Sequence, residues 1–178
     1  MDTYQPVFSA LTFSATMHRH QRRKGYNSIP YINHPIGVAD LIVRVAGVED
    51  VRVIQAALLH DVVEDTPVTF EEIQKNFGNE VATLVEELTD DTTLTSSKRK
   101  EMQLKTASLL SDKARLIRIA DKICNIDDIM KYPLPWTRKR KISYVHWARK
   151  VVEQCKGINE DLEKLFDETS DKALAWFR

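Results

Sequence analysis

Apolar residues recur at i, i+3 and i+4 along nearly the whole chain, the spacing that gives an α-helix one buried face. Only 5 glycines interrupt this pattern, and alternating β-branched runs are few, so the sequence specifies an all-α helical bundle. At 178 residues one core is the expectation, and residues 1–178 read as a single domain.

Caps and breakers set the expected elements. A first helix covers Pro6 to His20, and a basic loop follows from Gln21 to Asn33, with Gly25 and Pro30 as breakers. Pro35 suits the first position of a helix reaching about Val45, because its missing N–H and fixed φ cost nothing there. The next helix starts after the acids Glu49 and Asp50 and runs unbroken to Asp65, stopping where Thr66 precedes Pro67. Thr69 and Glu72 have capping-box spacing at the head of a short helix that ends near Phe77-Gly78. A helix over Asn79 to Leu88 leads into a polar stretch, Thr89 to Ser97, expected to be a mobile loop. Helices over Lys98–Leu110, Asp112–Met130 and Thr137 to beyond Gln154 follow, with a last one from Asn159 to Phe166 or further.

Lysine plus arginine and aspartate plus glutamate balance at 26 each, so net charge selects no partner. The cations are nevertheless grouped, at Arg19 to Lys24, Lys98 to Lys100 and Arg138 to Lys141. Cys124 and Cys155 sit in helical patterns and suit two reduced thiols better than a disulfide framework. Met1 to Thr16 lacks the basic start and long apolar run of a signal peptide, and no segment approaches the ~18 apolar residues of a membrane span. A soluble, cytoplasmic protein without membrane contact is expected.

One tract carries chemistry: Ala56-Ala57-Leu58-Leu59-His60-Asp61-Val62-Val63-Glu64-Asp65-Thr66. On a continuous helix His60 and Glu64, like Asp61 and Asp65, lie one turn apart, and the four share an arc of roughly 140°. Val53, Ile54, Ala57 and Leu58 continue that stripe, aiming it coreward. Three carboxylates without a lysine or arginine among them repel one another, which calls for a metal ion or a proton-transfer site rather than a solvated face. His34, in Asn33-His34-Pro35, and Asp121, in Ile117 to Asn125, are the further candidate ligands. Each alone has a plain structural account: His34 as a cap, Asp121 as the partner of Arg118 or Lys122.

Taken together, the order His34, His60-Asp61, Asp121 across separate helices resembles the HD phosphohydrolase superfamily, which implies an HD-domain bundle. The resemblance extends to the hydrolase domain of the Rel/Spo alarmone enzymes and to their small single-domain relatives. It rests on Gln21-Arg22-Arg23-Lys24, Pro30 to Pro35, Ala56 to Thr66, Phe77-Gly78 with Val81-Ala82, and Ala120-Asp121-Lys122 with Asn125. A looser match runs from Trp136 through Trp147 to Gly157. No synthetase domain would fit. Two imidazoles and two carboxylates suit Mn²⁺ and leave positions for water and a phosphate oxygen; Zn²⁺ also fits, and the resemblance implies Mn²⁺. Only His18, His20 and His146 remain beyond these ligands, which favours one ion.

Glu64 would orient or deprotonate the attacking water, and Asp65 would assist as a second acid/base or position the nucleophile; the resemblance favours this pair as the catalytic carboxylates. Arg23 and Lys24 match the family's phosphate-contacting loop, and Lys98 or Arg99 could close over a polyphosphate. Asn125 shares a helix face with Asp121 and would reach ribose or phosphate. By the looser match Arg140 and Tyr144 form a one-turn pair, the tyrosine offering a ring to a nucleobase.

The resemblance thus implies a Mn²⁺-dependent hydrolase that takes a guanine nucleotide alarmone, (p)ppGpp, to GDP or GTP and pyrophosphate. Two other functions use the same residues. One is a phosphatase acting on NADPH, a dNTP or a 3′-phosphorylated nucleotide; the other is a catalytically idle module binding alarmone or RNA. An intact Glu64-Asp65 pair argues against the idle module, and the absence of a recognition motif argues against specific nucleic-acid binding.

Overall fold

A computed structural model describes residues 4–25 and 29–178. Helices α1 (Tyr4–Met17), α2 (Asn33–Arg44) and α3 (Val51–Leu59) lead into the short α4 (Val62–Asp65), then α5 (Phe70–Phe77) and α6 (Asn79–Leu88). Helices α7 (Ser96–Thr106), α8 (Asp112–Lys131), α9 (Arg138–Glu153) and α10 (Glu160–Trp176) complete the chain, with a 3₁₀ turn at Ala107–Leu109 after α7.

Most expected boundaries recur with their expected causes. Asp50 caps α3 by accepting from the Arg52 N–H, and Thr69 and Glu72 form a reciprocal capping box at α5. Pro35 is the third residue of α2 rather than the first, which costs nothing because the opening N–H groups of a helix have no intrahelical acceptor. Helix α1 ends three residues before His20, and His18–His20 form a turn.

Two departures matter for the site. The helix expected to run unbroken to Asp65 pauses at His60-Asp61, where Asp61 adopts φ −100° and ψ −4°. His60 turns its ring back so that Nδ1–H donates to the Ala57 carbonyl at 2.8 Å, giving an end carbonyl of α3 a side-chain donor. The four polar residues therefore do not share one continuous helical arc. The basic segment before α2, expected to be a loop, is drawn into an antiparallel bridge between Arg22 and Pro30. The Arg23 N–H donates to the Ile29 carbonyl at 2.9 Å and the Tyr31 N–H to the Gln21 carbonyl at 3.1 Å.

Helix α8 runs through the centre, in contact with α2, α3, α6, α9 and α10. It is buried on more than one face: every residue from Ile117 to Ile123 is withdrawn from solvent. That makes Arg118, Asp121 and Lys122 buried charges in need of partners. Arg118 finds the Leu88 carbonyl at 3.1 Å, and the other two meet each other beside α2. The α2–α8 approach is close enough that a Cβ on Gly37 would lie 3.4 Å from Cys124 Sγ. Cys124 and Cys155 are both free thiols.

Candidate active site

Helices α2 and α8 and the α3–α4 junction bring His34, His60, Asp61 and Asp121 together. One ligand atom each from His34, His60 and Asp121 lies within 4.8 Å of the others, and all three residues are buried. His34 Nε2 is 3.1 Å from Asp121 Oδ1 and 3.6 Å from Asp61 Oδ2. His60 Nε2 is 3.1 Å from Asp61 Oδ2 and 4.0 Å from Asp121 Oδ1.

The donor chemistry fits a divalent cation. Because His60 Nδ1–H is spent on the Ala57 carbonyl, Nε2 carries the lone pair in the neutral ring, and it is buried without a hydrogen-bond partner. Burial works against a charged His60, yet the Asp61 carboxylate, with Asp121, raises it to about 9. The negative field that favours a proton there favours a cation equally. Burial of Asp121 is offset by Lys122, whose Nζ lies 2.9 Å from Oδ2, and by His34, so its carboxyl stays well below the usual range. The other oxygen accepts from Asn125 Nδ2 at 2.5 Å. Asp61 accepts from the Tyr31 hydroxyl at 2.7 Å. Each carboxylate is thus held by a second bond, as ligand groups require for a fixed orientation.

A cavity of about 360 Å³ opens beside this cluster, lined by Asp61, Glu64 and Asp65 on one side. Glu64 Oε2 accepts from the Asp90 N–H at 3.1 Å and Oε1 from Arg99 at 2.8 Å. Asp90 also accepts from Gln103 at 2.6 Å, so the stretch expected to be mobile is tied down at its first turn. Burial raises Glu64 to about 7, the Asp90 N–H opposing and the Asp90, Asp61 and Asp65 carboxylates adding to the rise. The Arg99 guanidinium opposes that rise by favouring the ionised carboxylate. Asp65 is exposed at the end of α4 and accepts from Gln21 at 2.8 Å.

The remaining predicted residues divide. Arg23, Lys24, Asn125 and Tyr144 line the cavity. Arg23 bridges Asp128 at 2.8 Å and Asn125 at 2.7 Å, and lies over the Tyr31 ring. Tyr144 packs against Trp136 and Trp147, with Lys100 5.1 Å from its ring centre. Lys98 is not among the lining residues: its Nζ pairs with Glu101 on the solvent side, and Arg99 takes the cavity side instead. Arg140 stays outside the lining too, stacked 4.3 Å over Trp136.

Sequence reasoning gave no part in the cavity to several residues that the fold brings here, Lys122 having been read only as a partner of Asp121. Gln21 and Tyr31 lie within stretches that carried the resemblance. Lys100, Lys122 and Trp147 form a cation–aromatic wall, each lysine 4.9 Å from the Trp147 ring. The signal for Trp147 was available: it lies three residues after Tyr144 on one helix face.

This bundle, with paired histidines and carboxylates at the junction of buried helices, defines a metal-dependent hydrolase class, and a model of the HD domain matches residues 10–146. The chain belongs to the HD-domain family. Among its relatives, guanosine-3′,5′-bis(diphosphate) 3′-pyrophosphohydrolase MESH1 of Xenopus tropicalis is 45% identical over 162 residues, covering 90% of each chain. The Homo sapiens protein of the same name is 45% identical over 159 residues, 89% of each. A solved structure described as a metazoan ortholog of SpoT that hydrolyses ppGpp superposes with TM-score 0.91 at 41% identity, over 94% of this chain and 95% of that one.

Proposed function

We propose that this chain, acting as one HD hydrolase domain, is a Mn²⁺-dependent (p)ppGpp 3′-pyrophosphohydrolase. The observation that carries the proposal is the cavity itself. His34, His60 and Asp121 cluster beside it, one side of its lining presents Asp61, Glu64 and Asp65, and the lining also carries Arg23, Lys24, Arg99, Lys100 and the Tyr144 and Trp147 rings. A nucleotide bearing phosphates at both ribose ends matches that division of charge and stacking surface. The similarity to the ppGpp-hydrolysing proteins supports the same substrate class.

A divalent cation held by His34, His60, Asp61 and Asp121 supplies Lewis-acid charge for the phosphoryl oxygen and eases deprotonation of water. The rest falls to the protein. Arg23, Lys24 and Arg99 neutralise and orient phosphates, and Asn125 holds Arg23 and Asp121 in register. When the substrate's phosphates draw Arg99 from Glu64, that carboxylate, raised to about 7, accepts a proton from the attacking water. Water oxygen bonds to the phosphorus on the 3′ oxygen, the P–O3′ bond breaks, and a proton reaches the departing 3′ oxygen with help from Asp65. Pyrophosphate and GDP or GTP result. Two free thiols, one half-buried and one buried, suit a reducing cytoplasm.

The test is product analysis with metal-stripped protein, with and without Mn²⁺, Zn²⁺ or Mg²⁺, on ppGpp and NADPH in parallel. The expected result is Mn²⁺-dependent GDP and pyrophosphate. Phosphate from NADPH alone would make the protein a nucleotide phosphatase, and binding of ppGpp without turnover would make it a sensor.

A further inference from the structure

His18 is a buried histidine, 2% exposed, that takes no part in the cation-facing cluster. Its Nδ1 lies 2.6 Å from Gln21 Oε1, and Gln21 Nε2 lies 2.8 Å from Asp65 Oδ2. The chemistry of these groups fixes the direction of both bonds. An ionised carboxylate only accepts, so Gln21 must present its NH₂ to Asp65; its oxygen then faces His18, whose Nδ1 must carry the hydrogen. The Gln21 backbone is held as well, its N–H donating to the His18 carbonyl at 2.9 Å and its carbonyl accepting from the Tyr31 N–H at 3.1 Å. His18 also packs its ring against Tyr31, centroids 4.9 Å apart, and the Tyr31 hydroxyl bonds Asp61.

Asp65 needs such a device. It ends a four-residue helix, it is exposed, and among the described residues the hydrogen bond to its side chain comes from Gln21. Nothing on α4 itself selects one rotamer for that carboxylate. We infer that Gln21 is a positioning residue that orients Asp65 for its proton-transfer role, and that His18 positions Gln21 by locking the amide so that nitrogen, not oxygen, faces the carboxylate. The inference rests on the hydrolase reading for what Asp65 does, but the direction of the relay is independent of it.

Two measurements test the two parts separately. Nitrogen NMR of the metal-free protein should find His18 in the Nδ1–H tautomer and the Gln21 NH₂ protected from exchange, with protection lost in Asp65→Ala; an Nε2–H tautomer, or an amide indifferent to Asp65, overturns the relay whatever the substrate. In ppGpp hydrolysis, Gln21→Ala should lower kcat by about tenfold to a hundredfold, the scale of a misoriented catalytic group, with KM and Mn²⁺ affinity within about twofold. The same change in an Asp65→Asn background should cost almost nothing further. His18→Asn, whose amide nitrogen can stand where Nδ1 stood, should keep most of kcat, whereas His18→Ala should match Gln21→Ala. A wild-type kcat in Gln21→Ala, or an undiminished loss in the Asp65→Asn background, overturns the positioning role. If wild-type protein does not hydrolyse ppGpp, the hydrolase reading fails while the NMR result still decides the relay.

Discussion

The buried cluster beside the cavity and the cationic side of the cavity lining are two walls built on opposite plans. On one, His34, His60 and Asp121 are each under a tenth exposed, carried on short side chains from helices packed into the core. On the other, the groups are long cations from α7, α8 and the bridge before α2, several already bonded to acids of the protein: Arg23 to Asp128, Arg99 to Glu64. The first wall is set to within a side-chain length by backbone packing, and it needs a cation to relieve its own repulsion. On the second, Arg23 and Arg99 already hold acidic partners, which a polyphosphate must displace. Rigid placement thus belongs to the chemistry, and exchangeable pairing belongs to recognition.

Changes on the first wall should be severe. His60→Ala removes both the lone pair facing the cluster and the bond to the Ala57 carbonyl; turnover should fall by more than about a thousandfold with a parallel loss of Mn²⁺ affinity in calorimetry. Retained metal affinity would mean that the buried cluster is not the cation site. Glu64→Gln should lower kcat by roughly a hundredfold to a thousandfold while leaving Mn²⁺ affinity intact, which separates base from ligand. The pH profile checks the same residue. A carboxyl raised to about 7 is protonated below that pH and cannot accept a proton, so wild-type kcat should climb as pH rises through about 7, and Glu64→Gln should flatten that limb. A profile unchanged by Glu64→Gln would move the base elsewhere.

The second wall should respond more gently and mainly in KM. Arg99→Ala should raise KM for ppGpp by about tenfold, and Lys98→Ala by less than about twofold, because only the first side chain reaches the cavity. Equal effects would mean that α7 rotates when substrate binds.

That last pair shows what could and could not be read from sequence. That His34, His60, Asp61 and Asp121 would come together was legible only from their order across separate helices, which resembles the HD pattern, since His34 and Asp121 alone each had a plain structural account. The caps at Asp50 and Thr69 were legible because each acts within three residues. The pause at His60-Asp61 was not, since no glycine or proline marks it; the ring's bond to Ala57 supplies the reason, and only the fold shows it. Lys98 and Arg99 differ by one residue, about 100° around a helix whose facing direction sequence leaves open. Gln21 lay in a stretch that carried the resemblance and His18 matched a family position near the site, yet neither received a role, because an amide and a helix histidine are ordinary surface residues until a distant carboxylate is brought 2.8 Å from Gln21.

Because the four clustered side chains come from α2, the α3–α4 junction and α8, a cation among them would act as a cross-link between segments far apart in sequence. Binding that needs the assembled junction stabilises the assembled state by mass action: free ion at a hundredfold excess over its Kd is worth about 2.7 kcal/mol. Metal supply would therefore govern how long the protein survives as well as how fast it turns over, and melting temperature should climb with added Mn²⁺ even when no nucleotide is present.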